Sequence, residues 1–290
     1  MTMVQRAAWG GLDGMNAAEA AGFVQRVEGL GYGALWIPDA LGREPLSHAS
    51  WLLANTTKLV IATGIVNIYG RDARAARAAQ MSLNEQSGGR FLLGLGVSHK
   101  PFVEGFRGHV YGPPLEAMRR YLDAMKEVQY MAPQPPETPR TVIAALGPKM
   151  LELARTHADG AHPYLVTPEH TAEARRILGE GKLLCVEQKV LLERDAATAR
   201  AIGRKALAIY LPMPNYRNNL LRLGFSAEDI DVGGGSDRLV DGLIAWGDEA
   251  ALERRVQAHL DAGADQVCIH ALSTTGTPDE RALQALAPGR

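Results

Sequence analysis

Along the chain, short apolar runs alternate with longer segments whose apolar residues recur every three or four positions. The runs lie at 4–9, 34–38 (ALWIP), 59–65 (LVIATGI), 91–96 (FLLGLG), 141–145, 160–165, 183–192 and 266–270. Most are apolar at successive positions, which fits strands buried on both faces and therefore a parallel sheet. Between them the helical period is explicit. Phe23, Val27 and Leu30 fall at i, i+4 and i+7, and Asn16 with Glu19 forms a capping box ahead of them. Leu115, Met118, Leu122, Met125 and Val128 mark another helix, and further ones are predicted over 47–53, 75–85, 150–157 and 196–209. Thr167 and Pro168 sit as N-cap and first residue of a helix, and Asp248 caps one carrying Leu252, Val256 and Leu260. Within the long segment before it, Leu239, Leu243 and Trp246 mark one more.

Eight strand candidates alternating with helices in 290 residues predict an α/β protein, a closed (β/α)8 TIM barrel with insertions, formed as one domain over 1–290. An open doubly wound sheet calls for a G-x-G-x-x-G turn after its first strand. Here that place reads Trp9-Gly10-Gly11-Leu12-Asp13, and the glycines of GLGVSH lack the third member. The Pro-rich stretch 131–140 is short enough to be a surface loop within the barrel.

Composition removes several classes. With 46% hydrophobic and 22% charged residues the chain is globular, not disordered. A net charge of −1 without a basic stripe argues against a nucleic-acid partner. No apolar run approaches the roughly 20 residues of a membrane span, and the first residues lack the apolar core of a signal peptide. A cytoplasmic protein is expected. Cys185 and Cys268, far apart in apolar runs, read as buried thiols rather than a disulfide framework. The eight histidines form no H-x-H or H-E-x-x-H pattern and there is no C-x-x-C, so no metal is expected.

A barrel of this kind places its chemistry at the C-terminal ends of the strands. Those ends hold Trp9, Asp39, Gly64-Ile65-Val66-Asn67, Gly96-Val97-Ser98-His99, Leu146-Gly147-Pro148-Lys149, His162-Pro163-Tyr164 and His270. Gly147-Pro148 opens a helix, and the unpaired N–H groups of a helix start, with Lys149 beside them, suit an anion such as phosphate. A plain βα turn, with glycine for its backbone angle and proline in the first helical turn, accounts for the same residues.

Four ordered stretches carry a family resemblance: 30–44 (LGYGALWIPDALGRE), 59–99 (with SGGRFLLGLGVSH), 144–171 (with ALGPKMLELARTHADG) and 260–269 (LDAGADQVCI). The chain resembles the luciferase-like monooxygenase superfamily, in the branch that uses the deazaflavin coenzyme F420. The likeness implies a luciferase-like barrel and an F420-dependent oxidoreductase. Hydride would pass between the deazaflavin C5 and a small organic substrate. It implies a non-prolyl cis peptide at Gly64–Ile65 in a bulged third strand. Gly96, Val97 and Ser98 would line the cofactor path, and Leu146, Gly147, Pro148 and Lys149 its phosphate. Asp39 falls where relatives carry an acidic residue, able to bond the ring's polar edge or simply cap a loop. Asn67 and Arg71 match a loop touching ring or substrate. Two relatives' residues are missing: Ala40 stands where several have histidine, and His99 where they have glutamate. His99 is thus the expected proton donor, with His162 and Tyr164 as alternatives and Trp9 beside them on the substrate side. Tyr216, Arg217, Asn218 and Asn219 form a candidate wall in the late insertion. The resemblance also implies, by analogy, a homodimer and a separate enzyme to reduce the cofactor. An FMN-dependent two-component monooxygenase and a non-catalytic flavin-storage barrel are the competing readings.

Overall fold

The structure is a computed structural model describing residues 4–40 and 42–289. Its strands are β1 (Arg6–Trp9), β2 (Ala34–Ile37), β3 (Val60–Thr63), β4 (Val66–Asn67), β5 (Phe91–Gly96), β6 (Thr141–Ile143), β7 (Gly160–Ala161), β8 (Leu183–Leu191), β9 (Ile244–Trp246) and β10 (Gln266–Ala271). All pairings are parallel, in the order β10-β1-β2-β3-β5-β6-β7-β8-β9, and β10 also pairs β8. That last pairing closes the sheet into the expected barrel. β3 and β4 are two halves of the third strand. β9 joins β8 at Lys189–Leu191, beyond the short β7 that pairs at Leu183 and Leu184. Here the structure corrects the sequence reading: the helix Asp237–Leu243 stops short of Trp246, which lies in β9.

The capping signals act as read. Asn16 accepts the Ala18 and Glu19 N–H groups while Glu19 accepts that of Asn16, starting the helix Ala17–Gly29. Gly88, in the left-handed region at φ 67°, ends the helix Ala73–Ser87.

Alternation along the strands divides two cores. Leu35, Ile37, Ile61, Val186, Val267 and Ile269 face the surrounding helices. Ala7, Trp9, Ala34, Trp36, Val60, Ala62, Cys185 and Cys268 pack inside the barrel. Most of these inner residues are small because the Trp36 indole fills the middle, its N–H donating to Gln266 at 2.9 Å. A third cluster, with Leu207, Leu211, Tyr216, Leu220, Leu239 and Leu243, roofs part of the mouth with the late insertion.

The third strand is bulged. Ile61 and Ala62 pair Phe91 and Leu92, whereas Val66 and Asn67 pair Leu95 and Gly96, so the register slips by one residue between them. The Gly64–Ile65 peptide in the gap is cis. Thr63 repairs the interrupted ladder: its hydroxyl accepts the Gly94 N–H at 2.8 Å and donates to the Gly94 carbonyl at 2.9 Å. Gly94 must lack a side chain, since a Cβ there would lie 1.9 Å from the Thr63 carbonyl oxygen.

Replacing Thr63 by Val keeps the shape but strands both Gly94 groups in the core. A loss of about 2–3 kcal/mol is expected in urea or thermal unfolding, and a loss below about 0.5 kcal/mol contradicts this account of the bulge.

Candidate active site

Two cavities open at the C-terminal mouth. The wide one, about 660 Å³, is lined by Trp9, Asp39, Gly64, Asn67, Arg71 and Tyr210, among others. The narrow one, about 430 Å³, runs past Gly96 and Val97 to Leu146, Gly147 and Pro148. Ile65, Ser98, His99, Ala144, His162, Tyr164 and Tyr216 line both, so the two form a continuous cleft. Glycine at 96 accommodates Ile65, whose Cδ1 would lie 2.2 Å from a Cβ there. Ser98, at the junction, holds φ 55°, a conformation uncommon for a residue other than glycine.

At the far end of the narrow cavity the helix Pro148–His157 begins with no side chain capping it. Gly147 has ordinary extended angles, φ −85° and ψ 158°, with no atom within 4 Å of where a Cβ would be. This helix start therefore faces open cavity. Asn219, nearly fully buried, lines the same channel with an amide Nδ2 that has no partner among the described residues. Lys149, expected beside them, is exposed and is not part of the lining. Successive side chains on a helix point about 100° apart, which turns it from the channel.

Asp39 sits in the wide cavity with its carboxylate engaged. It accepts the Asn67 N–H at 3.0 Å and lies 3.8 Å from Arg71 and 3.6 Å from Arg107. Arg71 also pairs with Glu44. This arrangement ties the loop after β2 to the one after β4. Of the late-insertion residues, Tyr216, Asn218 and Asn219 line the cleft, while Arg217 pairs outward with Asp231.

Of the floor, Trp9, Tyr164 and His270 were expected at the strand ends, but Glu187 and Lys189 were not foreseen. Glu187 and Lys189 are both 1% exposed inside the barrel and pair at 2.7 Å. His270 lies 2.9 Å from the same carboxylate, and the Leu165 N–H donates to its other oxygen at 3.2 Å. Burial alone would raise the Glu187 carboxyl, but Lys189 and His270 outweigh it and hold the pKa at about 2. The Lys189 ammonium lies 3.8 Å from the centre of the Tyr164 ring. Tyr164 is hydrogen-bonded to Tyr210 at 3.0 Å, and Trp9 packs on His270 with ring centroids 4.2 Å apart. The signal was present as two charges, two residues apart, in the apolar run LLCVEQKVLL. Period 2 sends both to one face.

His162 stacks on Trp36 with centroids 4.2 Å apart, and its Nδ1 donates to the Cys185 carbonyl at 2.8 Å. Burial lowers its pKa to about 4, and lowers that of His270 to about 4 against the pull of Glu187. His99 lies beside Tyr216, its ring centroid 5.6 Å away, and burial lowers its pKa too. Among the described residues no group of three or more His, Cys, Asp or Glu is placed to hold a metal.

A parallel barrel with an elongated, aromatic-walled cleft across its C-terminal mouth defines a (β/α)8 protein with room for a long ligand and a second small molecule. The luciferase-like monooxygenase profile matches residues 1–266, and the chain belongs to that family. A Mycobacterium tuberculosis relative, provisionally named a coenzyme F420-dependent oxidoreductase, is 26% identical over 245 residues, 70% of each chain. The 5,10-methylenetetrahydromethanopterin reductase of Methanolobus tindarius is 26% identical over 92% of this chain and 93% of its own. Among solved structures, an F420-dependent secondary alcohol dehydrogenase with an F420–acetone adduct superposes with TM-score 0.76. Its identity is 13%, and the match covers 92% of this chain and 93% of that one. A type II Baeyer–Villiger monooxygenase constituent from Pseudomonas putida, in complex with FMN, gives 0.69 at 12% identity, covering 97% and 96%. At such identities the structural likeness speaks for the fold alone.

Lys189→Met leaves Glu187 buried without its cation, and a loss of about 3–5 kcal/mol is expected. The double variant Glu187→Gln/Lys189→Met should recover part of it in the same unfolding assay. The acid limb of stability tests the histidines. His162 and His270 titrate near 4 when folded, and His259, buried between Thr171 and Gln188, near 3, against 6.5 unperturbed, so between these values the unfolded chain binds more protons. Their contribution is complete above about pH 6.5 and is lost as pH falls through about 4. For His162 alone it amounts to about 3 kcal/mol. A flat stability profile from pH 7 to 5 contradicts the assignment.

Proposed function

We propose that this chain is an F420-dependent oxidoreductase acting on a small organic molecule. The observation that carries the reading is the continuous cleft: a narrow arm ending at an uncapped helix start and a wide arm walled by aromatic rings. The residues fit the coenzyme. Gly147 and Pro148, with the N–H groups of the first helical turn, would hold its phosphate. Asn219, unpartnered and buried, offers the channel a donor. Gly96 and Val97 would flank the side chain, and Ile65, Ser98 and Ala144 the ring. Bound there, F420 supplies a ring carbon that gives or takes a hydride. Names of sequence relatives agree with this reading.

The chain's own residues do the rest. The rings of Trp9, Phe102, Tyr164, Tyr210 and Tyr216 offer the wide arm an apolar surface, while Asp39, Asn67, Arg71 and Arg107 give it polar groups. His99 lines both arms and is the residue proposed to move the proton that accompanies hydride transfer. Its imidazole, kept neutral by burial at neutral pH, can accept that proton. Asp39 is proposed to act at the ring's edge while holding the two loops together. A separate enzyme would return the coenzyme to its starting redox state.

Titration of the purified protein with F420 and with FMN tests the reading. F420 is expected to bind more tightly; FMN binding tenfold tighter, about 1.4 kcal/mol, would instead select the FMN-dependent monooxygenase reading. Gly147→Val isolates the phosphate end. The backbone angles suit valine and the space is open, so the fold should be kept at a cost of about 1 kcal/mol, valine being a poorer N-cap than glycine. F420 affinity should drop at least tenfold, and unchanged affinity refutes the phosphate assignment.

A further inference from the structure

Arg107 borders the wide arm just after a π-helical segment, Pro101–Phe106, that follows β5. Its guanidinium makes no hydrogen bond among the described residues. The carboxylate it faces, Asp39, keeps an oxygen 3.6 Å away, longer than a hydrogen bond. Glu104, three residues earlier, turns instead to Lys100 at 3.8 Å and to the Tyr111 N–H at 3.3 Å. Gly70 leaves the guanidinium its place, since a side-chain carbon there would lie 3.2 Å from Nη1. The Arg107 side chain remains 34% exposed, so its N–H groups are accessible from the cleft.

The other charges of the lining are engaged. Arg43 donates from its guanidinium to the Met15 carbonyl and lies 3.3 Å from His48, and its backbone N–H goes to Asp13. Glu44 accepts from Ser47 and Arg71. Asp39 accepts the Asn67 N–H and stands between Arg71 and Arg107. Arg71 keeps Nη1 unpartnered, but that atom is buried. The open donors of this arm therefore belong to Arg107. Beside them the rim is apolar and uncovered. Phe106 stacks on Phe102 with centroids 5.7 Å apart and is 69% exposed, and Ile209 of the late insertion is 56% exposed. All three line the same cavity.

We propose that Arg107 anchors an anion, and that the ligand of the wide arm is an organic acid whose apolar body lies against Phe102, Phe106 and Ile209. A planar guanidinium takes a carboxylate through two parallel N–H···O bonds. An amide of the same shape offers one acceptor and sets its own N–H groups against the guanidinium. A single guanidinium beside Asp39 suits a monoanion, because the second charge of a phosphate monoester would face that carboxylate. The proposal concerns binding, and it rests on the preceding reading only in taking the wide arm as the substrate chamber.

2-Naphthoate and 2-naphthamide differ in charge but hardly in shape. Both are titrated into the purified protein, with and without F420, by ligand-observed NMR. 2-Naphthoate is expected to bind at least tenfold more tightly, and added salt to narrow the gap. Arg107→Gln should remove the preference and Arg107→Lys keep part of it. Both variants should unfold at the midpoint of the unaltered protein and bind F420 within twofold of it. Equal affinity for the two probes, or no binding of 2-naphthoate at millimolar concentration, overturns the proposal. A preference that survives Arg107→Gln does so too, by placing the anion elsewhere. So does a tenfold loss of F420 affinity in Arg107→Gln, which would give the arginine to the coenzyme. 2-Naphthyl phosphate binding tenfold more tightly than 2-naphthoate would overturn the carboxylate in favour of a phosphate ester. If the unaltered protein does not bind F420, the preceding reading fails, while the acid–amide comparison without F420 still decides this one.

Discussion

Glu187 and Lys189 stand two residues apart on β8, so both side chains enter the barrel, where neither charge is tolerable without the other. Their pairing sets the floor on which the cleft is built. The carboxylate also takes His270 and the Leu165 N–H, and the ammonium lies against the Tyr164 ring. Trp9 then rests on His270, and Tyr164 reaches Tyr210 in the late insertion. One ion pair thus orients residues from β1, β8, β10, the segment after β7 and the roof. A hydrophobic pair of similar volume could serve stability as well. It would not supply the hydrogen bonds that fix those rings.

Above that floor, missing side chains make the space. Gly94 lets the bulged third strand close against β5, Gly96 admits Ile65, and Gly64 leaves the place where Trp9 and His162 converge. These glycines work through close approach; none of the three needs a positive φ. Gly147 serves differently, since nothing crowds it and its bareness leaves the helix start open to the channel. The cleft therefore follows from backbone approach at some points and unfilled space at another.

The scaffold is that of the family, and the walls of the wide arm come from connections between its strands. Tyr210, Met213 and Tyr216 come from the insertion between β8 and β9, and Phe102 and Phe106 from a π-helical segment, Pro101–Phe106, that follows β5. Connections of this sort carry specificity because they vary without disturbing the barrel. Buried polar atoms without a partner among the described residues lie around the cleft on Trp9, Arg71, His162 and Asn219.

Much of the fold was legible in the sequence because its signals are local. Continuous apolar runs identify buried parallel strands, and Asn16, Pro148, Thr167 and Asp248 mark helix starts by chemistry within one turn. The strand-end residues were legible too, since a barrel's topology puts every such end at one mouth. Three things were not. β9 is a strand only because the upper part of β8 lies beyond the reach of β7 and needs a partner, so Trp246 left the helix its spacing suggested. Lys149, adjacent in sequence to the helix start, turned outward with the helical rotation. The cluster of Glu187, Lys189 and His270 depends on the register of β8 against β10, which places His270 opposite Lys189. The sequence by itself determined the elements and the end of the barrel where chemistry gathers, because periodicity and capping act over a few residues. Only the tertiary structure decided which polar atoms meet, which stay unanswered and where space remains, because each depends on strands far apart in the chain being brought within a few ångströms.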